Sequence, residues 1–243
     1  MACEDRSAIV TGAAGQGMGR SIALTLAREG AKVAVNYRTS GEGAARIVKH
    51  IESHGGTAVA VEADVFSSDG CVKLFNAAVD RFGGVDICIV GPGGGWHPEQ
   101  IDRIDPDVAL MDVHQELAPL FNLMPLVLPA MFRQRWGRLI GIALHPTRLP
   151  PAYSYNVGKA ARAQALMLAE DQAWLQGVTV NVVAPSAVPA IRSLEEAIEQ
   201  CGHGPAWGNR TTATPQDAAE SVAFLCSEEA RFVTGCTIPF RLQ

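Results

Sequence analysis

Short apolar runs alternate with longer amphipathic stretches along almost the whole chain. The short runs are rich in Val and Ile and are bounded by Gly, Asn and Asp. That is the pattern of strands buried on both faces. They are "SAIVTG" (7–12), "KVAVNY" (32–37), "TAVAVEAD" (57–64), "VDICIVG" (85–91), "GRLIGIAL" (137–144), "VTVNVVAP" (178–185) and "GCTIPF" (235–240). Between them, apolar residues recur at helical spacing and predict helices over 19–30, 41–56, 69–84, about 105–134, 152–176, 193–201 and 214–230. Gly30 closes the first, and Pro215 lies in the first turn of the last. Strict alternation predicts one α/β domain over 1–243, a doubly wound parallel sheet with helices on both faces. Residues 186–213 interrupt it with Pro, Gly and charge, and predict a substrate-binding loop or lid within the domain.

Composition narrows the classes. Hydrophobic residues make up 48% of 243, enough for a sizeable core. The net charge of −5, with no basic stripe, argues against a nucleic-acid partner. The six cysteines are scattered and none forms a Cys-x-x-Cys, so a reducing cytoplasm is a simpler expectation than a disulfide framework. The segment "MACEDRS" has no signal-peptide layout. The longest apolar run, 117–132, is shorter than the ~20 residues of a membrane helix. It also carries Asn122 and the prolines 119, 125 and 129. No membrane is expected as a partner. A helix apolar all round must be covered beyond its own sheet, which predicts a homo-oligomer. His50 and His54 lie at i,i+4, but no further ligands complete a metal site, so none is expected.

The candidate chemistry begins after the first strand. "TGAAGQGMGR" (11–20) joins a strand to a helix, the context a nucleotide-binding turn requires. Gly12 permits the turn, Gly15 and Gly17 let backbone approach a phosphate, and Gly19 lets the helix pack near the sheet. Together with Gln16 and Met18 they form the predicted pyrophosphate cradle at a helix N-terminus, in a sheet of Rossmann type. The second strand ends "NYRTS", without the carboxylate that would hold ribose hydroxyls. Arg38, followed by Ser40, can pair with a 2′-phosphate, so NADP(H) is the expected cofactor. In "YSYNVGK" (153–159), Tyr155 and Lys159 are four apart and share a helical face. At the start of a helix after an inner strand of such a sheet, they become a candidate acid/base pair.

These motifs, with "ADV" (63–65), "VNVVAP" (180–185) and "VTG" (233–235), resemble the short-chain dehydrogenase/reductase family. The chain is similar to the single-domain 3-oxoacyl-[acyl-carrier-protein] reductases over nearly its whole length. The resemblance implies that Tyr155 gives a proton to a carbonyl. Lys159 would lower the tyrosine pKa and hold the nicotinamide ribose. Asp64 and Val65 would contact adenine, Gly91 and Gly93 would lie beside the cofactor, and Pro185 and Val188 along the nicotinamide. It also implies a tetramer or dimer. The departures are specific. The family's Asn-Asn-Ala-Gly appears as Val90–Gly93, and its relay asparagine is assigned to His114. The catalytic serine falls near Ile142 or Ala143, and Ser186 follows Pro185 where the family has glycine. Pro119 and Pro125 are expected to disturb the long interface helix.

His145, just past the fifth strand, and His114 are candidates for a substitute relay. Each can equally be a ring packed quietly with a satisfied hydrogen bond. Trp96, His97 and Trp207 lie in loops near the active face and read as substrate contacts or as loop anchors. Three functions follow for a small-molecule substrate. They are an NADP(H)-dependent carbonyl reductase or alcohol dehydrogenase, a reductase of conjugated C=C bonds, and a non-redox or inactive cofactor-binding protein.

Overall fold

Side chains alternate between the two faces of the inner strands, and each face is covered by helices. Thus Ala8 and Val10 join one core while Ile9 joins the other. Val33 and Val35 oppose Ala34 in the same way, and Ile87 and Ile89 oppose Cys88 and Val90. A computed structural model describes residues 1–93, 97–144, 152–186, 188–203 and 212–240. It has strands β1 (Ser7–Val10), β2 (Lys32–Tyr37), β3 (Ala58–Glu62), β4 (Ile87–Val90), β5 (Gly137–Ile142), β6 (Val178–Ala184) and β7 (Thr237–Pro239). All seven form one parallel sheet in the order β3-β2-β1-β4-β5-β6-β7.

The helices are α1 (Met18–Arg28), α2 (Gly41–Ser53), α3 (Ser68–Phe82), α4 (Pro106–Gln134), α5 (Tyr153–Trp174), α6 (Leu194–His203) and α7 (Pro215–Cys226). One core packs α1, α2, α6 and α7 on the sheet, through Ile22, Ile47, Ala197 and Val222. The other packs α3, α4 and α5, through Leu74, Leu123 and Leu166. Helix starts are chemically marked. Asp105 accepts from the N–H groups of Asp107 and Val108, with Pro106 at the first helical position. Thr214 and Asp217 make a reciprocal capping box before α7.

The prolines do not break α4, contrary to expectation: it runs as one helix through Pro119, Pro125 and Pro129. Pro125 and Pro129 are on its exposed side, where carbonyls left without a donor can meet water. Pro119 is buried, in a helix that packs along α5. In the predicted lid, α6 is docked rather than loose. Arg46 of α2 pairs with Glu195, and Arg28 of α1 donates to Cys201 O at 2.7 Å. None of the helices among the described residues is long and apolar enough to cross a membrane.

Candidate active site

The strand order reverses between β1 and β4, so the chain diverges there and opens a crevice at the carboxyl ends of the strands. Gly12 leaves β1 with φ +61°, and a Cβ on it would come 2.7 Å from Pro92 Cγ across the crevice. A Cβ on Gly19 would sit 2.7 Å from Gly12 O. Added Cβ atoms at Gly15 and Gly17 meet no close protein atom, so these two leave space over the turn. Helix α1 starts at Met18 with no side-chain cap, leaving its first N–H groups for an anion.

A cavity of about 840 Å³ opens beneath this turn, with Gln16, Gly17, Met18 and Gly19 on one wall. Gly91, Gly93, Tyr155, Lys159, Pro185 and Val188 line the rest of the predicted cofactor path. A second cavity of about 250 Å³ meets it at Gly12, Pro92 and Gly93, and is lined by Gly15, Arg38, Ser40, Asp64 and Val65. A glycine-floored groove with a helix N-terminus at its middle fits a dinucleotide. Arg38 is exposed, lies 5.3 Å from the Phe66 ring centroid, and pairs with no carboxylate among the described residues.

Asn36 holds the two halves of the groove together. Its Oδ1 accepts from Gly12 N at 3.0 Å and its Nδ2 donates to Ala63 O at 3.0 Å. It is 1% exposed, so water cannot replace those bonds. Asn36→Ala is expected to cost roughly 1–3 kcal/mol in urea denaturation and to weaken cofactor binding as the turn loosens.

The reaction end is built on α5 and α4. Tyr155 and Lys159 rise from the first turns of α5, with Lys159 Nζ 5.3 Å from the Tyr155 ring centroid. Glu116 of α4 is fully buried beside them. Its carboxylate lies 3.1 Å from Lys159 Nζ and 2.9 Å from Arg162 Nη2. Arg162, also buried, donates from Nε to Glu116 O (2.8 Å) and from Nη1 to Gly91 O and Ile142 O (3.0 Å each). Its Nη2 donates to Pro92 O. One guanidinium thereby ties the ends of β4 and β5 to both helices.

This environment opposes the expected activation of the tyrosine. Burial first, and then the Glu116 charge, push Tyr155 up to about 12 rather than down. Burial and Arg162 bring Lys159 down to about 8, with Glu116 opposing the fall.

His114 is a second correction. It is exposed on α4, and the α4 side chain that reaches the cavity is Glu116, half a turn on. His145, Trp96 and Trp207 lie outside the described residues. Where the serine is expected, Ile142, Ala143 and Leu144 line the cavity without a hydroxyl. Three other polar side chains on the wall are committed. Thr11 Oγ1 donates to Ile89 O, Asn156 Nδ2 to Ala152 O, and Ser186 Oγ to Phe240 O. His97 Nδ1 lies 2.9 Å from buried Asp112, which also accepts from Ser154 Oγ at 2.9 Å. This contact pins the loop after β4 to the start of α5, beside Tyr155.

Residues 12–240 match a family model described as Enoyl-(Acyl carrier protein) reductase. The chain is 32% identical over 243 residues to the 3-oxoacyl-[acyl-carrier-protein] reductase FabG of Staphylococcus epidermidis, covering 96% of each. It is 30% identical over 244 residues to the 1-cyclohexenylcarbonyl-CoA reductase of Streptomyces collinus, covering 95% of this chain and 83% of that one. A 7α-hydroxysteroid dehydrogenase solved with NADH and 7-oxo glycochenodeoxycholic acid superposes with a TM-score of 0.84. That pair shares 28% identity and covers 98% of this chain and 94% of the other.

Proposed function

The chain belongs to the short-chain dehydrogenase/reductase family, and from that premise we propose an NADP(H)-dependent oxidoreductase acting on a small carbonyl/alcohol substrate, with Tyr155 as acid/base. The observation that carries this reading is the Tyr155–Lys159 pair on the wall of a groove shaped for a dinucleotide. Bound there, the nicotinamide supplies or accepts a hydride. The N-terminus of α1 would hold the pyrophosphate, and Arg38 with Ser40 the 2′-phosphate. Asp64 and Val65 would hold the adenine, and Pro185 and Val188 the nicotinamide. Lys159 would hold the ribose. On reduction, Tyr155 would give its proton to the substrate oxygen, and the Lys159 charge would steady the phenolate left behind. Steady-state reduction of a panel of ketones and enones with NADPH tests the assignment. Tight NADPH binding without turnover of any member would favour a non-redox or purely binding role.

A second reading is reduction of a conjugated C=C bond. It is favoured by the apolar end of β5, because the enolate formed from a conjugated C=C bond spreads its charge over oxygen and carbon and asks less of a second donor than a localised alkoxide does. The Streptomyces collinus relative is named as a reductase of a cyclohexenyl substrate. Turnover confined to the enones would select this reading.

The cofactor preference rests on Arg38. Arg38→Ala is expected to weaken NADPH binding about 10- to 100-fold and to leave NADH binding nearly unchanged, measured by calorimetry. Tighter NADH than NADPH binding by the parent protein would reverse the preference. The proposed assembly is a homotetramer or dimer, supported by the exposed Phe121 of α4 and Leu168 of α5. A cytoplasmic setting is supported by six free cysteines.

A further inference from the structure

Glu116 is a buried carboxylate within ion-pair distance of Lys159, on the wall of the reaction cavity. The chain makes room for it at two glycines. A Cβ on Gly158 would lie 2.7 Å from Glu116 Cγ, and a Cβ on Gly93 would overlap the carboxylate itself. The backbone carbonyl of Glu116 is occupied by Arg162 Nε, so its carboxylate is the part of this residue left to act on Lys159. Among the described residues, the charged groups facing Tyr155 and Lys159 are Glu116 from α4 and Arg162 from α5. The ends of β4, β5 and β6 present uncharged Gly91, Pro92, Ile142, Ala143, Pro185 and Ser186.

We propose that Glu116 is a positioning residue that keeps Tyr155 protonated and Lys159 charged, poising the site to give a proton rather than to take one. The proposal rests on the reading of Tyr155 as acid/base. The physical reason is the sign of one charge acting on two groups. A carboxylate repels a phenolate, so it opposes loss of the tyrosine proton, and it attracts an ammonium, so it opposes loss of the lysine proton. Arg162 holds the carboxylate in place while its own charge opposes both effects, and burial keeps all of these interactions unscreened. The hydride-accepting direction, reduction of the substrate, then runs with a proton donor ready at neutral pH. The reverse direction requires the phenolate and is confined to alkaline pH.

The test compares parent, Glu116→Gln, Glu116→Asp and Tyr155→Phe proteins. In the cofactor-free protein, the ultraviolet difference titration of parent against Tyr155→Phe should show no Tyr155 ionisation below the ordinary value of about 10. In Glu116→Gln, Tyr155 should ionise about one pH unit lower or more. The alkaline limb of the reduction rate should also move down, since Lys159 loses the neighbour that holds its proton. Glu116→Asp should restore the parent profile. An ordinary or low Tyr155 titration in the parent, or identical titrations in parent and Glu116→Gln, would overturn the proposal. Should Glu116→Gln not fold, Gly158→Ala displaces the carboxylate without removing it. A downward shift of the same sign is expected there, and an unmoved Tyr155 overturns the proposal. Full turnover by Tyr155→Phe is a separate failure, of the acid/base reading itself.

Discussion

Tyr155→Phe is expected to lower turnover by roughly 10²–10⁴-fold while leaving NADPH affinity within a few-fold of the parent. Only the hydroxyl is removed, so the ring stays beside Lys159 on the cavity wall and the groove keeps its shape. The size of the loss follows from what the hydroxyl does in reduction. Without a proton, hydride arrival would leave an alkoxide in a cavity whose wall near β5 is Ile142, Ala143 and Leu144. A buried, unpaired oxyanion is costly, and no described hydroxyl stands ready to share it. The measurement is steady-state reduction by NADPH on the best panel substrate, with cofactor affinity read separately by calorimetry. Undiminished turnover sinks the assignment, whereas a loss confined to cofactor affinity moves the tyrosine from chemistry to binding.

Arg162→Met is the second large effect, and it falls on stability. Arg162 is wholly buried, pairs with Glu116 and donates to four carbonyls, those of Gly91, Pro92, Glu116 and Ile142. Methionine matches much of the stem but offers no donor. Removing one member of a buried ion pair and leaving the other costs roughly 3–5 kcal/mol. That is a large share of the stability of an ordinary domain. Denaturant unfolding of the variant should therefore have a midpoint far below that of the parent, or the protein should be found aggregated. The loss should extend to cofactor binding, because the freed carbonyls of Gly91 and Pro92 line the turn after β4. A midpoint within experimental error of the parent would mean that these carbonyls find other partners and that Arg162 is not the tie described.

The architecture was legible because it is written in local periodicity. "KVAVNY" forms β2 as Lys32–Tyr37, and the helix expected after Pro215 is α7, Pro215–Cys226. Each apolar run buried on both sheet faces has only one way to be covered, so alternation was enough to read the doubly wound sheet. The glycine turn was legible for the same reason: its Gly spacing lies within a few residues of chain. The tyrosine–lysine pair needed only the pitch of one helix.

What the sequence by itself determined, then, is the strand and helix pattern, the parallel sheet, the glycine turn and the shared face of Tyr155 and Lys159. Each is readable from the period of one element or from the alternation of elements along the chain. The tertiary structure decided how those groups are tuned. The sequence pattern does not single out Glu116, although with Asp112 it continues the buried stripe of Leu120, Leu123, Val127 and Met131 along α4. Nothing in the sequence pattern sets Arg162 apart; α4 and the ends of β4 and β5 close around it in the fold. The rise of Tyr155 to about 12 and the fall of Lys159 to about 8 belong to no single segment. They arise from burial, from Glu116 about 40 residues back in the chain and from Arg162 on α5 itself, and desolvation and Coulomb forces act through space, not along the sequence.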